Sequence, residues 1–436
     1  MDVLKFDLSN KAGNFKPMNA VNGAPVKPII QSMLMNNMAA WQAARIPYAR
    51  NHDYAFVHMG RCVDISAIFP NPDANPHDIR NYDFCLTDLV VEHTLEGGTE
   101  PFYRLGQTIE NWPVHYHIYP PKDYKQWAII AEHVIRHYNE GWNNGFEHKI
   151  QYWEIWNEPD GPVWDKVPDT SGCWLGSGEQ FFEFYATVAK HLKKCFPHLK
   201  IGGPAIVGRQ PEWVDAFLSY MRAHDVEIDF FSWHIYTTEP DEMLERAKWI
   251  KELLLKHGYG QTESILNEWN YRINWTDRFL ESMEKAADIR GAAFNMAVMT
   301  ACQHSSIDML MYYDARHNTP FCGIFDMRTL RPTKAYYPFL WYGKYYDMEA
   351  EILCQNDVPD LYTLCGIDAN GKTLTSLVYF TNDEDAEEKT VKLDFGKSAE
   401  YEMYLLDKSH TYELMTPPAD LIFTLKPDTC IFLKEK

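Results

Sequence analysis

A (β/α)8 barrel, or TIM barrel, with a small accessory β-sandwich domain is the α/β fold that this sequence predicts, on three observations. Between about residues 15 and 345, short β-rich runs that end in polar residues alternate with longer helical patterns, the mark of repeated βα units. Eight such runs can be counted, and the first is not followed by the Gly-rich phosphate loop of an open doubly wound sheet. Beyond about residue 346 the pattern changes to short alternating runs separated by turn signals such as NG and ND.

Taken in order, residues 1–14 contain VLKFDLS, a strand pattern that precedes the barrel and is expected to join the second domain across the chain termini. The barrel is expected over 15–345, with strands FKPMNAV (15–21), IPYARNH (46–52), PFYRLG (101–106), QYWEIWN (151–157), KIGGPAI (200–206), DFFSWHIY (229–236), ESILNEW (263–269) and DMLMYYD (308–314). Aromatic and β-branched residues dominate these runs, as suits strands buried on both faces. Helical patterns lie between them, among them DYKQWAIIAEHVIRHYNEG and EQFFEFYATVAKHLKKC. Residues 346–436 supply the sandwich, with LYTLCGI, TLTSLVYF, KTVKLDF, EYEMYLL, LIFTL and TCIFLK as its strands.

Composition narrows the ligand. Hydrophobic residues are 46% and charged residues 23% of the chain, close to globular averages, and no apolar run is long enough to span a bilayer, so no membrane partner is expected. A formal net charge of -20 opposes binding to nucleic acid or to an anionic polymer and favours a small neutral ligand. The nine cysteines form no CxxC pair and no zinc-like spacing, so they read as reduced, mostly buried thiols, and neither a metal nor a cofactor is expected. The start, MDVLKFDLSN, lacks a basic stretch followed by an apolar one, which leads to the expectation of a cytoplasmic location. Self-association into a homo-oligomer is left open.

Chemistry is sought where the strands end, because a barrel of this kind works at the C-terminal face of its sheet. The second strand ends in Arg50, Asn51, His52 and Asp53, the fourth in Asn157 and Glu158, the sixth in His234 and Tyr236, the seventh in Glu268, and the eighth in Tyr312, Tyr313 and Asp314. A lone glutamate at a strand end reads as a salt-bridged carboxylate. Two at the same end, on strands four and seven, face each other across the mouth, and a pair held about 5–5.5 Å apart is what double-displacement glycoside hydrolysis requires. Arg50 and Tyr236 are available to keep Glu268 ionised as a nucleophile, which leaves Glu158 as the acid/base. Pro159 cannot donate to a ladder, so the pleat is expected to break there and let Asn157 and Glu158 both address a ligand. Glu154 shares the parity of Glu158 and is expected to pair with Arg50. Trp112, Trp164, Trp174, Trp269 and Trp275 follow strands three, four and seven, where sugar faces could stack on them. The Cys302 and His304 pair lies in a helical pattern without further ligands and reads as structural.

The segments WEIWNEP, ILNEWN, IGGPA and DFFSWHIYT, with YARNH and PPKDYKQWA, resemble glycoside hydrolase family 39 within the clan A retaining glycosidases, over about residues 15–345. The resemblance implies that Glu158 is the acid/base and Glu268 the nucleophile. It further implies that Asn157 binds the hydroxyl next to the anomeric carbon, that His52 and His234 line the pocket for the cleaved sugar, and that Tyr236 orients Glu268. Arg50, Trp112, Trp269 and Tyr313 complete the expected substrate contacts. The implied function is retaining, exo-acting hydrolysis of a small neutral saccharide, with a β-xylosidase first and an α-L-arabinosidase, β-galactosidase or β-glucosidase as alternatives. An α-L-iduronidase fits less well, for want of spare basic residues at the strand ends, and a non-catalytic carbohydrate-binding barrel is the reading from another class. Long segments after strands two, three and four (53–80, 107–123 and 159–178) are the expected walls of an exo pocket.

Overall fold

The structure, a computed structural model, describes residues 1–27, 35–52, 62–108, 117–161, 173–208, 210–316 and 323–436. The first strand, β1 (Asp2–Gly13), precedes a closed barrel of eight parallel strands. These are β2 (Ala20–Asn22), β3 (Tyr48–Arg50), β4 (Glu100–Leu105), β5 (Tyr152–Ile155), β6 (Lys200–Ile206), β7 (Phe230–Thr237), β8 (Glu263–Tyr271) and β9 (Met309–Tyr312). Pairing of β2 with β9, Ala20 opposite Met311, closes the ring.

Helices fill the intervals: α1 (Met38–Ala44) after β2, α2 (Ile65–Ile68) and α3 (Cys85–Glu96) after β3, and α4 (Tyr124–Glu140) after β4. They continue with α5 (Gly178–Cys195), α6 (Pro211–Ala223), α7 (Pro240–Lys256), α8 (Phe279–Ala287) and α9 (Ile289–Gln303), and α10 (Tyr337–Tyr342) follows β9. Their ends follow local chemistry. Asp123 caps α4 by accepting from the backbone N–H of Lys125 and Gln126, and Gly141 ends it at φ 70°. Ser177 and Gln180 close a reciprocal capping box on α5. Helix α9 is buried nearly all round, because one side faces the barrel and the other faces the second domain. No helix among the described residues is long and apolar enough to cross a membrane. Every cysteine among them is a free thiol.

The second domain adds β10 (Ala350–Gln355), β11 (Leu361–Ile367), β12 (Thr373–Tyr379), β13 (Lys389–Asp394), β14 (Tyr401–Leu406), β15 (Thr411–Met415), β16 (Ile422–Leu425) and β17 (Thr429–Glu435). With β1 they form one nine-stranded sheet in the order β15-β14-β17-β12-β11-β10-β1-β13-β16. That single sheet curls over a core of its own, with Leu4, Phe6, Ile352, Leu377, Leu393 and Leu433 among its members. Strand β1 lies inside it, antiparallel to β10 and parallel to β13, so the two ends of the chain share one hydrogen-bonded layer. The opposite face of the sheet, with Leu364, Val378 and Phe432, packs into the barrel's outer core.

The barrel interior is layered by strand parity. Ala20, Tyr48, Phe102, Tyr152, Phe230 and Ile265 plug its lower half. Two residues further along the same strands come Asn22, Arg50, Arg104, Glu154, Ser232 and Asn267, a polar layer that is wholly buried. Continuing two more residues reaches His52, His234 and, from β9, Tyr313. The polarity of the interior therefore rises toward the C-terminal face, where the site forms.

Candidate active site

Two interruptions of the pleat bring the carboxylates inward. Along β8 the register shifts between Leu266 and Trp269, and opposite it between Trp233 and His234 of β7, so one extra residue is accommodated. Consecutive residues then face the same way: the Asn267 amide donates to Glu154 Oε1 at 2.6 Å while Glu268 enters the mouth opposite His234. After β5 the chain takes positive φ at Trp156 (73°) and again at Glu158 (45°), a geometry that costs about 1–2 kcal/mol for each non-glycine residue. Trp156 turns into the helix-side core against Phe184 and Trp174, and Asn157 and Glu158 both address the mouth. The break thus begins at Trp156, ahead of the proline. Asp160 braces the turn by accepting from the backbone N–H of Val207 (2.9 Å) and Gly208 (2.8 Å). Burial pushes the Asp160 carboxyl up to about 6, with Glu158 adding to the rise and the two amides opposing it.

Arg50 is the hub. Its Nη1 donates to Glu268 Oε1 at 2.7 Å, its Nε to Glu154 Oε2 at 2.6 Å and its Nη2 to Asn157 Oδ1 at 2.6 Å. Burial alone would lower the guanidinium's pKa, but the Glu154 and Glu268 charges and their hydrogen bonds outweigh it and raise it. Arg50, expected from sequence as a substrate contact, is engaged in the structure with the side chains of Glu154, Glu268 and Asn157. The Tyr236 hydroxyl donates to Glu268 Oε2 at 2.7 Å, and burial first, then the Glu268 charge, raise its pKa well above the ordinary phenol value. Glu268 is held on both oxygens as a carboxylate.

Glu158 is set differently. Its Oε1 is hydrogen-bonded to His234 Nδ1 at 2.8 Å, and that nitrogen lies 3.5 Å from Glu268 Oε2. One oxygen of each glutamate and a nitrogen of His234 all lie within 4.8 Å of one another. Glu158 is more open than its partner, 16% against 4% exposed at the side chain. The arrangement pairs a fixed anion with a second carboxyl that faces the opening and can exchange a proton.

Other expected site residues fall as follows. Asn157 is fully buried, its Oδ1 accepting from Arg50 and its Nδ2 donating to Cys173 Sγ at 3.7 Å. His52 Nε2 is 3.7 Å from Glu268 Oε1. Tyr313 borders the mouth, its ring 6.3 Å from that of Tyr236 and its hydroxyl accepting from Arg316 Nη2 at 3.0 Å. Trp269 is not in the pocket. It is fully buried against Tyr312 and Phe294 on the helix side, because the β8 bulge that turns Glu268 inward turns its neighbour outward. Trp174 packs in the core, whereas Trp275 is half-exposed and stands edge-on to Tyr236 at 5.0 Å, a candidate platform at the rim. Asp53, Trp112 and Trp164 lie outside the described residues, as do parts of the three expected wall segments. Glu154 does pair with Arg50, and His304 is hydrogen-bonded to Glu351 across to the second domain.

Reasoning from strand ends did not single out Arg104, Asp64, Ser232 or Asn267. A signal existed for Arg104: a charged residue inside the apolar run PFYRLG must find buried partners. Away from the mouth, Glu132, His191 and Cys195 meet between α4 and α5, but Arg136 Nε (2.7 Å) and His191 (2.6 Å) already engage Glu132, and an ion-pair cluster accounts for them.

Replacing Arg50 with Met should cost about 3–5 kcal/mol, because it strands Glu154 and Glu268 as buried, unpaired anions. Urea unfolding measures this, and a loss below about 1 kcal/mol would contradict the hub.

A closed parallel barrel with paired carboxylates at the ends of its fourth and seventh strands places this chain in the class of barrel-type glycoside hydrolase folds. The family model for glycosyl hydrolases family 39 matches residues 33–252, about half of the chain, and the chain belongs to that family. A beta-xylosidase of Geobacillus stearothermophilus is 28% identical over 220 residues, covering 43% of this chain and 41% of that protein. A beta-xylosidase of Caldicellulosiruptor saccharolyticus is 29% identical over 184 residues, covering 40% and 35%. The chain therefore spans less than half the length of these curated relatives. Among solved structures, a glucosidase from Croceicoccus marinus superposes with a TM-score of 0.80 over 100% of this chain and 99% of its own, at 20% identity, a likeness of fold.

Proposed function

We propose that this chain is a retaining, exo-acting glycosidase that hydrolyses β-xylosides. The observation that carries the reading is the approach of Glu158 and Glu268 to within 4.8 Å, oxygen to oxygen, a gap with no room for the water that an inverting enzyme places between its carboxyls. The two environments divide the labour. Protonated Glu158 donates to the departing glycosidic oxygen while Glu268 attacks C1, and a covalent glycosyl-enzyme forms as the aglycone leaves. Glu158, now ionised, takes a proton from the incoming water, whose oxygen attacks C1 and frees Glu268. Arg50 and Tyr236 hold the attacking carboxylate in line throughout.

The xyloside preference is supported by the two beta-xylosidase relatives. A panel of nitrophenyl glycosides tests both halves of the proposal. The β-xyloside should be the fastest substrate, and proton NMR in the first minutes should show β-xylose ahead of its mutarotation product. Turnover confined to an arabinoside, galactoside or glucoside would move the specificity to that sugar, and α-configured first product would overturn the mechanism.

A further inference from the structure

We infer that Arg104 is a positioning residue that holds His52 as a neutral imidazole with its proton on Nε2, directed at the nucleophile's side of the pocket. The donor chemistry decides the tautomer. Arg104 Nε donates to His52 Nδ1 at 3.0 Å, and a guanidinium has no lone pair to offer, so Nδ1 must be the accepting nitrogen and the ring proton must sit on Nε2. That nitrogen is the one 3.7 Å from Glu268 Oε1.

Arg104 is fixed from three sides. Its backbone N–H donates to Asn51 Oδ1 (2.8 Å), its Nη2 donates to Asp64 Oδ1 (2.8 Å), and its side chain is completely buried beside β3. The ring of His52 is thereby held against rotation and against a second proton on Nδ1. The neighbouring cationic and titratable groups add to the effect: Arg50 on β3, Arg104 on β4, His234 on β7 and Arg316 after β9 all oppose a positive His52, while the Glu268 carboxylate on β8, 3.7 Å away, favours one. Burial is the largest cause, and together these hold the imidazole well below its ordinary value.

The consequence is chemical. Were His52 to become a cation, it would compete with Arg50 for Glu268 Oε1 and place positive charge beside a sugar that itself becomes oxocarbenium-like in the transition state. A neutral Nε2–H gives the pocket a hydrogen-bond donor without that charge. Arg104 therefore excludes a protonation that would impair the carboxylate it never touches.

This inference uses the proposed glycosidase reading only for its kinetic consequence, and the test separates the two. Ring-labelled histidine NMR on the intact protein, with the His52 signals identified by their loss in His52→Asn, should show the Nε2–H tautomer unchanged between about pH 5 and 8. In Arg104→Gln, made together with Asp64→Asn so that no buried carboxylate is stranded, the same signals should titrate. The kcat/KM of that double variant should acquire a new acid-side loss of about tenfold or more on going from pH 7 to 5, as an ordinary histidine protonates. Adding His52→Asn should remove the new limb, because an amide does not protonate there. An Nδ1–H tautomer, or titration of His52 in the unaltered protein, would overturn the inference even if the variants failed to fold. So would an activity loss of equal size at every pH, which is what a merely structural role predicts. If no glycoside is turned over at all, the proposed function fails while the NMR still decides the tautomer.

Discussion

Glu268→Ala is expected to abolish turnover of every glycoside, by about four orders of magnitude or more in kcat, whatever the leaving group. The side chain is nearly inaccessible, clamped by Arg50 on one oxygen and Tyr236 on the other; Glu154 is buried one layer lower, and Glu158, the second carboxylate at the mouth, is held by His234. Truncation to alanine also opens space where the carboxylate stood. A small anion such as azide or formate can occupy that space and attack C1, so high azide should restore part of the activity and yield a glycosyl azide of inverted configuration. The product's anomeric centre is read by NMR. Near-normal activity in this variant would place the nucleophile elsewhere, and a retained azide product would reassign Glu268 as the proton donor. The loss should exceed any accompanying change in stability, because alanine removes an anion from a buried cluster while Arg50 keeps Glu154 as its counter-charge.

Glu158→Ala is expected to separate substrates by their leaving groups. The proton donor is gone but the attacking carboxylate, with both of its hydrogen bonds, is intact. Glycosides with an activated aryl group depart with little protonation, so their first step should survive. An unactivated disaccharide should lose about 10²–10⁴-fold, the usual contribution of general acid catalysis. With no base to deprotonate water, the glycosyl-enzyme should accumulate, and a burst of released phenol followed by a slow steady state is the stopped-flow signature. Azide should relieve the slow step and give product with retained configuration, the opposite of the Glu268 result. Equal losses on activated and unactivated substrates would sink the assignment of Glu158 as acid/base.

The alternation of aromatic-rich strand runs with amphipathic helical patterns sufficed to foretell a closed barrel, because burial on both faces of a parallel sheet leaves a near-continuous apolar run that ends abruptly where the backbone meets solvent. The same logic exposed Glu158 and Glu268, since a carboxylate at the end of such a run sits on the working face of the barrel. Even the partnership of Glu154 with Arg50 could be anticipated from parity: two opposite charges on inward positions at the same height of one barrel have few other ways to be satisfied.

What the tertiary structure alone decided lies where the two-residue period fails. Nothing local in ILNEWN says that the strand carries an extra residue, so Trp269 was expected among the aromatic residues that follow the strand and meet the sugar; the bulge that sends it outward lies in the register of β8 against its neighbours β7 and β9. The left-handed turn at Trp156 is held by contacts with Trp174 and Phe184, residues close in space and distant in sequence. Arg50 became a hub because side chains of several strands converge on it, and Arg104 was assigned no role until β4 placed it against the ring of His52. Composition and periodicity thus determined which side chains face inward and at what height along each strand. Register between strands, which depends on the summed packing of all eight, determined which of those side chains touch, and hydrogen bonds and charge interactions act only over those final few ångströms.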